Sequence, residues 1–397
     1  MLNESTGQAS TEKALLPGAT LGVVGGGQLG RYFVIEARRL GYRTWVLDPD
    51  PSAPAMQLAE HPLVAAYDDA AALAKLGAAC DAGPVEFENV PAASLEALAR
   101  LCRVAPSASS ICIAQDRDAE KRKAASLGLK PVPYAEIRTA SDIPAAVTAA
   151  GLPAILKTSR LGYDGKGQVV CENQTDVETA FADMQGAVCV LERRIALAAE
   201  ISVVLARGRG GDVAVFPIAR NVHVNGILST SSVPAAMRDS VLTDSVLAEA
   251  HELAVQMAEG LDYQGVMAVE FFVDEQGQIL FNEMAPRPHN SGHYTLDATV
   301  TSQFEQQLRA LCGLPLGSTE LLRPVCMINL LGDLWSDGEE QSAPKWQHVF
   351  AADSAHLHLY GKSEARPGRK MGHINCLAES AELGTQMALK LHAQLPS

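Results

Sequence analysis

The sequence predicts mixed α/β and α+β architecture: a doubly wound α/β domain at the N-terminus, a larger α+β region, and a small C-terminal domain. Three observations predict it. Between residues 19 and 115 short apolar runs alternate with helical segments, the rhythm of a parallel sheet covered by helices. At residues 154–171 that rhythm breaks, because an apolar run enters a glycine-rich loop and leaves as another apolar run with no helix between. After Leu314 the composition changes again, with short strand-like runs and one closing helical segment.

Residues 1–17 are polar and read as a loose, disordered tail. Residues 19–24 read as a buried parallel strand that turns through Gly25-Gly-Gly-Gln-Leu-Gly30 into a helix reaching about residue 40. Strands follow at 44–47, 62–65 and 84–87, with helices at 70–77 and 92–101, closing a first domain at 18–115. The next helix, 116–127, has acidic residues in its first turn and lysines after them, in accord with the helix dipole. The strand–loop–strand unit at 154–171 precedes strands at 188–192, 200–207, 213–220 and 266–273 and helices at 245–261 and 301–311. A second domain therefore spans 116–315. Strands at 325–331, 356–360 and 373–377 and a helix at 381–391 make a third, mixed α/β domain at 316–397.

Hydrophobic residues make up 47% and charged residues 20% of the 397 positions, an ordinary globular balance with ample material for a core. The net charge of −14 argues against a nucleic-acid partner, and the densest basic cluster, Arg366-Pro-Gly-Arg-Lys370, suits a single phosphate. No run approaches the roughly 18 apolar residues of a membrane span, and the first residues hold no apolar segment of a signal peptide. The 8 cysteines form no CxxC pair and several sit in apolar runs, as reduced thiols of a cytoplasmic protein do.

Gly25-x-Gly27-x-x-Gly30 follows a strand and opens a helix, and Asp48 lies after the second strand, which is the spacing of a dinucleotide fingerprint. A nicotinamide dinucleotide, another phosphate ligand, and a tight turn with no ligand all fit that spacing. The second loop, Gly162-Tyr-Asp-Gly-Lys-Gly-Gln168, lacks the Walker pattern, but its glycines allow it to fold over a triphosphate and donate backbone N–H groups. Lys157 ends the strand before it and needs an anionic partner once desolvated. An exposed hairpin with a solvated lysine fits the loop alone equally well. Arg117 on the preceding helix, together with two carboxylates further on, favours phosphate.

Those carboxylates are Glu270, inside the apolar run 266–273, and Glu283, in Asn282-Glu-Met-Ala-Pro-Arg-Pro-His-Asn-Ser-Gly-His293. An even-numbered turn at Asp274-Glu-Gln-Gly277 sets Glu270 opposite Phe281, with Glu283 a diagonal neighbour about 7–8 Å away on the same face. Alternation sends Asn282 to the other face. Such a pair fits Mg²⁺, or Mn²⁺, shared with substrate phosphates, and the alternative is a buried ion pair of Glu270 with Arg287. Pro288 and Gly292 oppose a helix that would present His289 and His293 together to zinc. Glu192 and Glu200, at strand ends, fit either acceptors for an adenosine amine and ribose or solvated termini. His223 reads as an ordinary surface or packed histidine. The segment 360–373 is either a solvated basic loop or a cationic clamp on a phosphate or carboxylate.

Together these residues resemble the ATP-grasp superfamily, and within it the ligases that carboxylate aminoimidazole ribonucleotide. The resemblance runs from about residue 19 to 395 and is carried by residues 25–31, Glu86-Phe-Glu-Asn-Val90, Lys157 with 162–168, 265–272, 282–293, Ser302-Gln-Phe-Glu305 and 366–373. It implies an ATP-grasp fold behind an N-terminal pre-ATP-grasp domain, with a glycine-rich lid subdomain at about 130–192. It also implies a purine-biosynthetic ligase reaction in which ATP and bicarbonate give carboxyphosphate, which carboxylates the ribonucleotide's amine and releases phosphate. By the same resemblance ATP, as co-substrate, contacts Arg117, Lys157, Gly162, Tyr163, Asp164, Gly165, Lys166, Gly167, Gln168, Glu192, Arg193, Arg194, Ile195, Glu200, His223, Asn282 and Glu283. Glu270 and Glu283 are implied as the Mg²⁺ ligands. The ribonucleotide is implied to meet Gly27, Gln28, Leu29, Glu88, Asn89, Tyr163, Lys362 and Arg369. Arg287, His289 and Asn290 line the bicarbonate side and, with Lys362, form the implied catalytic set. A homodimer without nucleic-acid or membrane partners is the implied assembly. The chain departs from the family pattern at Ser159, often an arginine, and in Arg193-Arg-Ile-Ala-Leu197, which lacks the aromatic residue often found before Glu200. Two rival readings are an NAD-dependent oxidoreductase built on the first glycine turn and a non-catalytic nucleotide binder with the same fold.

Overall fold

A computed structural model describes residues 13–160, 162, 167–237, 241–337 and 340–396. The N-terminal segment forms a five-stranded parallel sheet in the order His61–Val64, Arg43–Asp48, Thr20–Val24, Ala82–Pro84, Arg103–Ala105. Its central strand, Thr20–Val24, is buried along its whole length, as a strand covered on both faces must be. The strand expected at 84–87 lies earlier, at Ala82–Pro84, and Val85 adds only a single bridge to Val24. Residues 1–12 of the expected tail lie outside the described residues. Residues 13–17 are not loose: Leu15 N–H donates to the Cys312 carbonyl at 2.9 Å and Tyr42 Oη donates to the Leu15 carbonyl at 2.8 Å.

A four-stranded antiparallel sheet follows, in the order Tyr134–Ile137, Cys189–Arg193, Ala154–Thr158, Gln168–Cys171. The expected hairpin is present, with Lys157 paired to Gln168 across it. Helices Ile143–Ala150 and Gln174–Asp183 share its apolar core through Ile143, Ala146, Val177 and Phe181.

The largest sheet has nine strands, and its main path runs Ile279–Ala285, Gly265–Asp274, Leu197–Arg207, Ala219–Val224, Ile227–Val233, Val325–Leu331, Lys370–Leu377, Ala355–Leu359. The C-terminal strands thus continue this sheet. The single strand expected at 213–220 is two, Val213–Val215 and Ala219–Val224, separated at Pro217, which has no N–H for a ladder. The strand Ile227–Val233 was not legible, because its Leu-Ser-Thr-Ser-Ser interior carries little apolar signal. Helix Asp244–Gly260 packs on this sheet through Ala250, Ala254, Met257 and Ala258, the i, i+4, i+7, i+8 stripe of an amphipathic helix.

Helix Gln303–Cys312 joins the sheets. Its Leu308, Leu311 and Cys312 belong to the N-terminal core, while Gln307 Oε1 accepts a hydrogen bond from Val266 N–H at 2.6 Å. Apolar burial of roughly 1.5–3 kcal/mol per large side chain and a satisfied strand end therefore come from one helix. No helix among the described residues is long and apolar enough to cross a membrane.

Candidate active site

The two carboxylates meet more directly than alternation predicts. The loop closing their hairpin has Gly277 at φ +78°, with Gly277 N–H bonded to the Asp274 carbonyl at 3.0 Å. It is an odd-numbered turn with a left-handed glycine, so the ladder starts at Val273–Ile279 and pairs Phe271 with Phe281. A bulge at Asn282 then shifts the register and sets Glu270 directly opposite Glu283. The diagonal spacing is corrected to a facing pair, with side chains on one face. Asn282 is the extra residue of the bulge, so simple alternation no longer assigns its face; its Oδ1 is buried with no hydrogen-bond partner among the described residues.

The surroundings push the two carboxylates apart in acidity. Burial first, then the charge of Glu283, raises the Glu270 carboxyl well above the usual carboxylate range. The protein around Glu283 also desolvates it, but the Arg117 guanidinium at 3.0 Å and the Lys157 ammonium hold its carboxyl below that range. Ser202 Oγ donates to Glu270 at 3.3 Å, and the His289 ring lies 3.6 Å from the same oxygen. A facing acidic pair with one member forced towards neutrality, beside an unpartnered amide oxygen, is a donor set that suits a hard divalent cation. Glu270 does not pair with Arg287: that guanidinium grips Glu88 in a two-toothed ion pair, with Nη2 at 2.7 Å from Oε1.

Helix Arg117–Ser126 supports this edge of the sheet in a way the sequence did not reveal. Glu120 Oε1 accepts from Met284 N–H at 2.6 Å, and Lys121 Nζ donates to the Asn282 carbonyl at 2.9 Å. These groups therefore hold the backbone on either side of Glu283, where an edge strand would otherwise leave polar groups unpaired. Both side chains are buried, at 2% and 0% exposure. Burial, then the charge of Glu283, raises Glu120 to about 8. The charged run Arg117-Asp-Ala-Glu-Lys-Arg-Lys reads as a solvated helix face, so only its tertiary position exposes the role.

Glu192 faces inward. Its carboxylate lies 2.7 Å from Lys157 Nζ and 3.2 Å from Lys121 Nζ. Burial opposes its ionisation, but the two lysines and Arg117 hold it at about 2. Lys157 itself is lowered by burial, partly offset by Glu192. Arg193 bonds the Ala150 carbonyl at 2.8 Å and Arg194 approaches Glu172 at 3.4 Å, while Ile195 is half-buried. His223 Nδ1 pairs with Glu200 Oε2, and although burial opposes protonation, Glu200, Glu270 and Glu283 raise the ring above its ordinary value. His223 is thus a site-facing partner of Glu200. Gly162, Gly167 and Gln168 lie at the hairpin base, with Thr158 N–H bonded to the Gly167 carbonyl at 2.9 Å. Tyr163, Asp164, Gly165 and Lys166 lie outside the described residues.

His289 is half-buried, with its side chain 16% exposed, and desolvation together with Arg287 lowers its ring to about 3, so it is neutral. Both amide atoms of the adjacent Asn290 are buried without a partner among the described residues. His293 points elsewhere, with its ring 4.9 Å from that of His373, so the two histidines share no metal position.

At the first glycine turn, Asp48 is consumed by the protein. It accepts from Gly26 N–H at 2.6 Å, Tyr67 Oη at 2.7 Å and Asp50 N–H at 2.8 Å. The acid of the dinucleotide fingerprint therefore locks its own turn and is not presented to a ribose, which removes the basis of the nicotinamide reading. Gly27 caps helix Gln28–Arg39 and opens onto free space, while Leu29 packs inward against Tyr32, Phe304 and Tyr360. Gln57 Nε2 donates to the Gly361 carbonyl at 3.0 Å, bringing the loop with Lys362 and Arg369 against this domain. Lys362 Nζ bonds the Lys370 carbonyl at 2.6 Å, and Arg369 bonds the Glu364 carbonyl at 2.8 Å. Asn89 sits half-buried beside Glu88.

Glu86 is nearly buried, and neither carboxylate oxygen has a partner among the described residues. Burial, slightly opposed by Arg287, raises it to about 8. Because the folded value exceeds the unfolded one, the native state binds an extra proton between them, and stability falls as pH rises towards 8. We expect Glu86→Gln to raise the melting temperature at pH 8 and the gain to shrink by about pH 5. A gain independent of pH contradicts this account.

A hairpin ending in a buried strand lysine, together with a facing acidic pair, is the arrangement of the ATP-grasp class of ligases, and residues 122–304 match the family model of the ATP-grasp domain. Residues 18–115 match the ribonucleotide synthetase preATP-grasp domain, and residues 325–386 the phosphoribosylaminoimidazole carboxylase C-terminal domain. The chain is 46% identical over 363 residues to the N5-carboxyaminoimidazole ribonucleotide synthase of Brucella melitensis, covering 91% of this chain and 97% of that one. Identity to the Bacillus subtilis enzyme of the same name is 41%, covering 93% and 94%. An ADP complex of an N5-carboxyaminoimidazole ribonucleotide synthetase superposes with TM-score 0.88 at 39% identity, covering 96% and 98%. The Aspergillus clavatus synthase in complex with ADP and 5-aminoimidazole ribonucleotide superposes with TM-score 0.85 at 29% identity, covering 96% and 100%. This chain belongs to the N5-carboxyaminoimidazole ribonucleotide synthase family.

Proposed function

We propose that this protein is the ligase that carboxylates the exocyclic amine of 5-aminoimidazole ribonucleotide with ATP and bicarbonate, a step of purine biosynthesis. Family membership supports the reaction, and the facing of Glu270 and Glu283 beside Arg117 and Lys157 is the observation that carries it. A bicarbonate oxygen attacks the γ-phosphorus of ATP, the bond to the β-phosphate oxygen breaks, and ADP leaves. The amine then attacks the carboxyl carbon of carboxyphosphate, inorganic phosphate departs, and the amine gives up a proton.

In this reading Glu270, Glu283 and the Asn282 amide hold Mg²⁺ or Mn²⁺. A bound ion of that kind would neutralise phosphate charge. Arg117, Lys157 and Lys166 stabilise the charge on the transferring phosphoryl group. Gly162, Tyr163, Asp164, Gly165, Gly167 and Gln168 are assigned to excluding water from short-lived carboxyphosphate. The backbone from Glu192 to Ile195 receives the adenine, and Glu200 with His223 receives the ribose. Arg287, His289 and Asn290 hold bicarbonate; Arg287, fixed by Glu88, orients it, and the unpartnered Asn290 amide offers a donor and an acceptor. Gly27, Gln28, Leu29 and Asn89 with Lys362 and Arg369 take the ribonucleotide, the glycine turn and helix start receiving its phosphate. The reading extends to a lid subdomain at about 130–192, a cytoplasmic location and a homodimer; 8 unpaired cysteines fit a reducing compartment.

The test is phosphate release with ¹⁸O-labelled bicarbonate, with and without the ribonucleotide. Release that requires the ribonucleotide, with label passing into phosphate, supports the proposal. Release indifferent to the ribonucleotide, or unlabelled phosphate, contradicts it.

A further inference from the structure

Gln303 is the first residue of helix Gln303–Cys312, and it is fully buried. Its side-chain amide does not serve its own helix. Oε1 accepts from His289 N–H at 2.9 Å, and Nε2 donates to the His289 carbonyl at 2.8 Å. The amide therefore bonds both main-chain groups of a single residue, as a neighbouring strand would. The strand Ile279–Ala285 has already ended and no ladder reaches His289, whose carbonyl otherwise accepts only within its own turn, from Gly292 N–H at 3.0 Å. Nε2 also approaches His293 Nδ1 at 3.1 Å, and Gln303 N–H donates to Thr295 Oγ1 at 3.0 Å, which anchors the glutamine to the same turn. Gly292 leaves room for the contact: a Cβ there would lie 2.5 Å from Gln303 Oε1.

The imidazole is fixed in turn. Ser291 N–H donates to His289 Nδ1 at 3.3 Å, and Ser291 Oγ lies 2.8 Å from the same nitrogen. With Nδ1 accepting, the proton sits on Nε2, which faces Glu270 at 3.6 Å. Ser291 sets the tautomer, and the backbone setting that aims the ring is held from Gln303.

We infer that Gln303 is a positioning residue for the carboxylation: it clamps the main chain of His289 so that the Nε2–H edge of the imidazole meets bicarbonate beside Glu270. The inference rests on the assignment of His289 to the bicarbonate side. It excludes direct contact between Gln303 and substrate, since the glutamine has no exposed surface and its amide is occupied by protein groups.

The experiment is a double-mutant cycle on the full chain, with kcat and KM measured for bicarbonate, ATP and the ribonucleotide in Gln303→Met, His289→Ala and the double variant. Gln303→Met keeps the volume and removes both hydrogen bonds. The expected result is a fall of about 10–100-fold in kcat/KM for bicarbonate, as for a small misplacement of a reacting group, with KM for ATP within about twofold. The double variant should lose no more than His289→Ala alone. Unchanged bicarbonate kinetics, an equal loss for ATP, or losses that multiply in the double variant overturn the inference. Should Gln303→Met fail to fold, Gly292→Ala displaces the amide from the other side, and the same selective loss for bicarbonate is expected; its absence overturns the inference equally. A silent His289→Ala sinks the assignment of His289 and this inference with it. An effective His289→Ala beside a silent Gln303→Met sinks this inference alone.

Discussion

Glu283→Gln is expected to reduce ribonucleotide-dependent phosphate release at least about 100-fold, or about 2.7 kcal/mol of transition-state stabilisation. The substitution keeps the shape and removes one of the two facing charges. It also leaves Arg117, 3.0 Å away, without its counter-ion, and it releases Glu270 from the neighbour that helps keep it protonated. The remaining carboxylate therefore ionises more readily, yet one acidic ligand and an amide replace two acidic ligands. The backbone should hold, because Lys121 grips the Asn282 carbonyl and Glu120 grips Met284 N–H whatever side chain lies between them. Circular dichroism close to that of the parent, with turnover down at least 100-fold, is the expected pair of results. A variant keeping more than about a tenth of the parent's turnover shows that this carboxylate holds no essential ion.

Glu192→Gln is expected to cost about 3–5 kcal/mol of stability, the usual penalty for removing one partner of a buried ion pair. Two ammonium groups share this carboxylate, Lys157 at 2.7 Å and Lys121 at 3.2 Å, and Lys121 has no exposure at all. Without the charge between them, the lysines repel each other in a poorly solvated space. Lys157, already lowered by burial, should be the first to lose its proton. Lys157 is also the lysine assigned to the phosphates, so nucleotide affinity should fall together with the denaturation midpoint. Replacing Glu192 and Lys121 together, by Gln and Met, removes one charge of each sign and is expected to recover part of the stability. The check is a denaturant titration of the parent and the single and double variants. A single variant within about 1 kcal/mol of the parent contradicts the buried-charge account.

Much of this site was legible because it rests on local pattern. The hairpin around Lys157 shows as two apolar runs joined by glycines, and the structure pairs Lys157 with Gln168 across it. Glu270 stands out because a carboxylate inside an apolar strand must be compensated. The facing of Glu270 and Glu283 was not legible, since it depends on a left-handed glycine turn and a bulge at Asn282, and one residue of slip reverses every side chain. Asp48 misleads for a related reason: the spacing of a ribose acceptor is also the spacing of an acid that ties down Gly26. Glu120 and Lys121 were hidden, because a charged helix face looks solvated until another element covers it. The continuation of the large sheet through Val325–Leu331 and Lys370–Leu377 joins strands far apart in the chain, which periodicity cannot predict.

The proposed role of the facing pair Glu270 and Glu283 is to bind the divalent ion beside the nucleotide. Its most direct test is a Mn²⁺ titration by electron paramagnetic resonance in the presence of ADP, comparing the parent with the Glu270→Gln/Glu283→Gln double variant. The parent is expected to bind Mn²⁺ with the nucleotide, and the double variant to bind it about 10–100-fold more weakly. Equal Mn²⁺ affinity in the two proteins, with ADP still bound, would contradict it.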